Sequence, residues 1–263
     1  MKRIALKIKH ICAVFLLLVT SAETLTCYHP KAGIAFHATI LFALLFYSAR
    51  ETKTETEKNL SQFLVVLLLA PLIRILSLSM PFAQVSKIFG FLFISIPIFL
   101  ATFTGMLVQG LRLKDLGFSL PKLKHVPINA GVVLLAVPAG IIEFQILKPA
   151  PLPAGEGAGL AANFVVAAAV FVVCTGFLEE LVFRGLIQHN ARKLMSRRWG
   201  IFFVSILFGV LHIGNLAVLD CVLAFSIGFL YSVIREQTGS IFGISLSHGI
   251  INVILFLVAP YYF

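Results

Sequence analysis

Phe177-Leu178-Glu179-Glu180-Leu181-Val182-Phe183-Arg184-Gly185-Leu186-Ile187-Gln188 is the stretch whose reading decides the fold. It closes an apolar run that begins near Leu160. About eighteen mostly Ala, Val, Phe and Leu residues precede Glu179, enough for a membrane span. Ionisable groups at that depth cost roughly 2.5–3.5 kcal/mol each on insertion scales, so they are rare and mark functional sites. At about 100° per helical residue, Glu180 and Arg184 lie about 40° apart and can pair. Glu179 lies about 140° from Arg184 on the same wheel and faces elsewhere. One acid is neutralised and one is free.

The whole chain repeats this apolar pattern. Of its 263 residues 59% are hydrophobic and 12% charged, and the mean hydropathy is +1.01. Soluble domains carry about 25% charged residues, so the composition implies an integral membrane protein. The net charge of +10 lies in short clusters between apolar runs, a topology signal rather than a nucleic-acid surface. Cys12, Cys27, Cys174 and Cys221 lack CxxC spacing and read as small core hydrophobes.

Lys2, Arg3, Lys7 and Lys9 precede an apolar run from Ile11 to Thr20. It reads as a retained first span, with a cleaved signal peptide ending near Thr20-Ser21-Ala22 as the other reading. Further runs cover about 33–49, 60–80 (interrupted by Pro71 and Arg74), 85–108, 126–147, 160–189, 200–212, 216–234 and 241–259. The run 200–212 is short for a span. A Pro/Gly-rich connection, 148–159, is polar enough to lie outside the bilayer. Only helices satisfy their own backbone in lipid unless a barrel closes. The expected fold is therefore an all-α, polytopic helical bundle with about eight or nine crossings. Residues 1–125 supply N-terminal transmembrane helices and 126–263 the core that holds the motifs within 177–252. With a cytoplasmic N-terminus the inner connections hold 4, 3, 4, 4 and 1 Lys/Arg, against Lys31, Lys87 and Lys148 outside. That bias sets the orientation and suits a multi-pass protein of the plasma (inner) membrane.

Three more polar groups lie within apolar runs after the double glutamate. His212 ends the run at Phe208-Gly209-Val210-Leu211, and His248 and Asn252 share a face four residues apart. Counted by helical rise, Glu179 is roughly 20 Å, His212 roughly 18 Å and His248 roughly 10–15 Å from the cytoplasmic edge. Three helices can thus bring these groups to one cavity, read here as an inner-half cavity open to the cytoplasm. Each group alone has a plainer reading: a structural Glu180–Arg184 clamp, a hydrogen-bonded histidine, an amide bridging helices. Five costly groups at similar depth favour a shared site.

Glu179-Glu180-x-x-x-Arg184, Phe208-x-x-x-His212 and His248-x-x-x-Asn252 together resemble the three-motif pattern of the CPBP intramembrane proteases. That family includes the type II CAAX prenyl endopeptidases and the Abi proteins. Asp115-Leu116-Gly117-Phe118 resembles a short motif that often precedes the family's core. The resemblance covers roughly the last hundred residues, and the N-terminal spans match no pattern. It implies an endopeptidase acting on membrane-associated proteins or peptides by CAAX-type C-terminal processing or a related cleavage. Glu179 would be the general base and His212 would help hold the water. Arg184 would keep Glu180 ionised, and His248 and Asn252 would face the developing oxyanion. Metal-independent chemistry is the favoured reading. Zinc on Glu179, His212 and His248 is the other, since these are adequate ligands, although no HExxH is present.

The expected partners are the bilayer and a membrane-tethered substrate, without nucleic acid. The competing functions are a catalytically idle membrane partner or immunity protein and a proton-coupled transporter. The second calls for repeats that the chain lacks. Arg74 and Glu143 are the remaining intramembrane charges, expected to pair across helices or to bind substrate, and Glu23 is expected to reach water. His10, His29, His37, His125 and His189 fall outside the motifs.

Overall fold

A computed structural model describes residues 2–79, 87–152 and 160–263. The described residues contain no strand. Nine of their helices are long and apolar enough to cross a membrane. In chain order they are α1 (Lys2–Tyr28), α2 (Pro30–Ser48), α3 (Glu55–Ser79), α4 (Lys87–Val108) and α5 (Val126–Leu147). They continue with α6 (Phe164–Leu194), α7 (Arg197–Val210), α8 (Val218–Thr238) and α9 (Phe242–Tyr262). The chain is an integral, multi-pass helical bundle. The connection 148–159 is described only to Leu152, and the start of the 85–108 run also lies outside the described residues.

Local chemistry sets the ends. Thr54 caps α3 through a capping box: its hydroxyl accepts from the Glu57 amide, and the Glu57 carboxylate accepts from the Thr54 amide. Pro71 cannot donate to Leu67, so α3 breaks for one residue at Leu68. Gly239 ends α8 in the left-handed region at φ 74°. The short seventh run is completed by Arg197 at one end and a 3₁₀ turn at Ile213–Asn215 at the other.

Two features carry the site's helices. α6 and α9 cross where Gly176 meets Gly249. A Cβ on Gly176 would lie 2.5 Å from the Gly249 nitrogen, and one on Gly249 would lie 2.6 Å from Val172 Cα. Small residues let helices approach this closely in lipid. Gly249→Ala is expected to lower stability by about 1–3 kcal/mol through overpacking and to reduce activity. Gly131→Ala meets nothing within 4 Å and should be neutral in the same thermal-unfolding assay.

The second feature is the 115–118 turn, which braces the far end of the same helices. Asp115 accepts from the Arg112 amide at 2.8 Å, which holds its carboxyl below the usual range. The Gly117 carbonyl accepts from the Ile241 amide at 2.9 Å, just before α9. Phe118 packs edge-on against Phe177, two residues before Glu179. Gly117 has φ 86° and the Arg235 guanidinium beside it, so only glycine fits there.

The N-terminal helices correct two expectations. Arg74 does not pair with Glu143. Its Nε donates to Glu23 Oε1 at 2.9 Å, and its Nη2 donates to the Leu211 carbonyl. Glu23 does not reach water either: it is fully buried, with His37 Nε2 3.5 Å away. A carboxylate on α1 and a guanidinium on α3 find each other across helices because each lacks a solvent alternative. Sequence distance to a run's end gave no sign of it.

Candidate active site

Glu179 and Glu180 stand side by side on α6 but in opposite environments. Glu180 is fully buried, and its Oε1 accepts from Arg184 Nη1 at 2.8 Å. Arg184 is fully buried too, with its guanidinium carbon 4.4 Å from the centre of the Phe208 ring. An ion pair with a cation–π contact offsets part of the desolvation of so deep a charge. The Glu179 side chain keeps 34% of its surface exposed, toward a cavity. Thus one acid is clamped and one is free, as the helical spacing predicts.

The helix bearing them is not a regular α-helix. Residues Phe171–Phe177 and Leu181–Ile187 are π-helical, on either side of a short α-helical stretch at Leu178–Glu180. Such widened turns recur at functional sites. They shift the angular bookkeeping around Glu179, but the Glu180–Arg184 contact remains within the i, i+4 reach.

His248 is the hinge between the two acids. Its Nδ1 donates to Glu180 Oε1 at 2.9 Å, and its Nε2 lies 3.9 Å from Glu179 Oε2. Because an ionised carboxylate only accepts, Glu180 sets Nδ1 as the donor and turns Nε2 to the cavity. One turn on, Asn252 Nδ2 donates to Thr175 Oγ1 at 2.8 Å, and Thr175 donates back to the Phe171 carbonyl. This chain holds the Asn252 amide in place with its second N–H free of those partners. Thr175 has no charge and sits in an apolar run, so no sequence signal singled it out.

His212 comes from the end of α7. Its Nδ1 donates to the Phe208 carbonyl at 2.8 Å, four residues back. That leaves Nε2 for the cavity. The Arg74 bond to Leu211 braces the neighbouring carbonyl at the negative end of α7, which ties the N-terminal helices to the position of His212.

Glu179, His212, His248 and Asn252 all line one cavity of about 510 Å³, walled by Phe91, Phe208, Ile251 and Phe256 among others. Glu180 and Arg184 lie beneath it and do not line it. Glu143 and Asp220 also line it and are nearly fully buried. Asp220 accepts from Asn215 at 2.8 Å. The cavity therefore carries two more acids than the motifs indicate.

Its direction differs from the expectation. From Glu179 and His248 the cavity runs toward Ser77, Leu147, Pro149 and Asn215. These residues lie at the helix ends away from the basic connections. The rise count already contained the reason: about 20 Å from the basic edge of a core about 30 Å thick is past the midplane. Among the described residues no three His, Cys, Asp or Glu side chains converge closely enough to hold a metal ion.

Residues 161–254 match the family model of type II CAAX prenyl endopeptidase Rce1-like proteins. The matched segment contains Glu179, Glu180, Arg184, His212, His248 and Asn252, whereas Asp115–Phe118 lies before it. No curated protein and no solved structure matches the chain. The matched segment is 94 of the 263 residues; it carries the motif helices from α6 into α9, and over it the chain is similar to the CAAX-type intramembrane proteases of the CPBP family.

Proposed function

We propose that the protein is an intramembrane endopeptidase that hydrolyses a peptide bond of a membrane-tethered protein or peptide with a glutamate-activated water. The observation that carries this reading is the free Glu179 carboxylate in a cavity that also receives His212, His248 and Asn252 from two other helices. Glu179 is the general base. His212 Nε2 accepts a hydrogen bond from the same water and orients it. The water oxygen adds to the carbonyl carbon as its proton passes to Glu179. Asn252 donates its second N–H to the oxyanion. Collapse then breaks the C–N bond as the proton moves from Glu179 to the leaving amine, giving a carboxylate and an amine.

This reading reassigns His248. Glu180 accepts from its Nδ1, which leaves Nε2 of the neutral ring an acceptor beside Glu179; its part is to hold the geometry, while Asn252 is the oxyanion donor. Asn252→Ala is expected to lower turnover by about 10²–10³. Thr175→Val, which frees the amide to rotate without removing it, should give a smaller loss. Equal losses in a kinetic comparison would argue against the positioning role of Thr175.

The chemistry proposed uses no metal, because a glutamate-activated water needs no ion. Turnover is expected to persist in a strong zinc chelator; loss that added zinc restores would overturn that part. We place the protein in the plasma (inner) membrane with a cytoplasmic N-terminus, on the loop charge bias.

The test of the function is a mass-spectrometric comparison of membrane-protein termini in cells carrying the wild-type chain or Glu179→Gln. Termini that vanish in the variant at equal expression would establish proteolysis and name the substrate. Identical sets of termini would instead indicate a non-catalytic membrane partner.

A further inference from the structure

The charge on the connections and the direction of the cavity bear on one another. Sixteen of the 21 Lys and Arg residues lie at one end of the bundle, in the start of α1 and the connections α2–α3, α4–α5, α6–α7 and α8–α9. Contacts between distant segments gather this end together. Arg192 pairs with Glu236 at 3.2 Å, Arg235 donates to the Asp115 carbonyl at 3.2 Å, and Lys9 lies over Trp199 at 4.4 Å. Only Lys31, Lys87 and Lys148 belong to the connections of the other end. The cavity reaches that other end, at Ser77, Pro149 and Asn215.

Basic connections stay on the cytoplasmic side, and this bias decides orientation in short-looped proteins. The anionic cytoplasmic leaflet holds them there. We infer that the cavity opens on the extracytoplasmic face of the membrane. The substrate class follows, resting on the protease reading: a peptide bond that a translocated, membrane-tethered chain presents on the outer side. A prenylated tail in the cytoplasm would meet the basic end instead.

Topology can be read without any activity, which separates this inference from the protease reading. Two exposed leucines mark the ends: Leu216 between α7 and α8, 71% exposed, and Leu123 before α5, 89% exposed. In a full-length chain with Cys27 and Cys221 changed to alanine, Leu216→Cys and Leu123→Cys are made singly. A membrane-impermeant maleimide is added to intact bacterial cells. Leu216→Cys is expected to label in intact cells to the level reached after permeabilisation. Leu123→Cys is expected to label only after permeabilisation.

The reverse pattern, or equal labelling of both in intact cells, would overturn the inference. Should Leu216→Cys label in neither condition, fusions at Phe263 decide, since α9 ends at the cavity side. An active alkaline phosphatase there supports an extracytoplasmic mouth, and a fluorescent green fluorescent protein overturns it.

Discussion

Glu179→Gln is expected to lower turnover of a cleaved peptide by about 10²–10⁴, the range a positioned general base contributes, and to leave the unfolding temperature unchanged. The two expectations come from the same environment. The Glu179 side chain is one-third exposed to the cavity, and among the described residues no hydrogen bond or ion pair within 3.5 Å ties it to a neighbour. Glutamine keeps its shape and its wall of the cavity but cannot take the water's proton. Kinetics on the purified protein, with thermal unfolding in the same detergent, checks both. An active Glu179→Gln would remove the base from the mechanism. An inactive variant that also unfolds early would mean that Glu179 is structural and that the fold itself was lost.

Arg184→Ala should do the opposite, acting first on stability. It removes the cation from a pair in which both side chains are fully buried, 2.8 Å apart. Leaving a buried charge without its partner costs about 3–5 kcal/mol, and the space above Phe208 is left unfilled as well. Glu180→Met combined with Arg184→Met removes both charges and keeps most of the volume, so stability should largely return. Activity should not return, because His248 loses the acceptor that orients its ring. Thermal unfolding and turnover of the two variants side by side give the readout. If the double variant were active, Glu180 would have no part in positioning His248.

The membrane character and most of the bundle were legible in the composition and the spacing of the apolar runs, because lipid leaves a lone span no choice but a helix. The Glu180–Arg184 pair was equally legible, since partners four residues apart are neighbours on any helix. The meeting of Glu179, His212, His248 and Asn252 was legible only as a possibility of equal depth. Thr175 and Asp220 were not legible as cavity residues, and Glu143 was legible only as an intramembrane charge that pairs or binds substrate, because nothing in a local pattern says which face of a helix meets which neighbour.

Arg74 makes the contrast plain. As an intramembrane cation it had to find an anion, and the sequence offered Glu143. Packing of α1 against α2 and α3 delivered Glu23 instead, since helix–helix contact in lipid is decided by shape and by buried hydrogen bonds between chain segments far apart. The same holds for the cavity's direction. Loop charges alone determined which ends of the helices are basic. Only the tertiary arrangement, with Gly176 and Gly249 bringing α6 onto α9, decided that the space beside Glu179 runs to the other end.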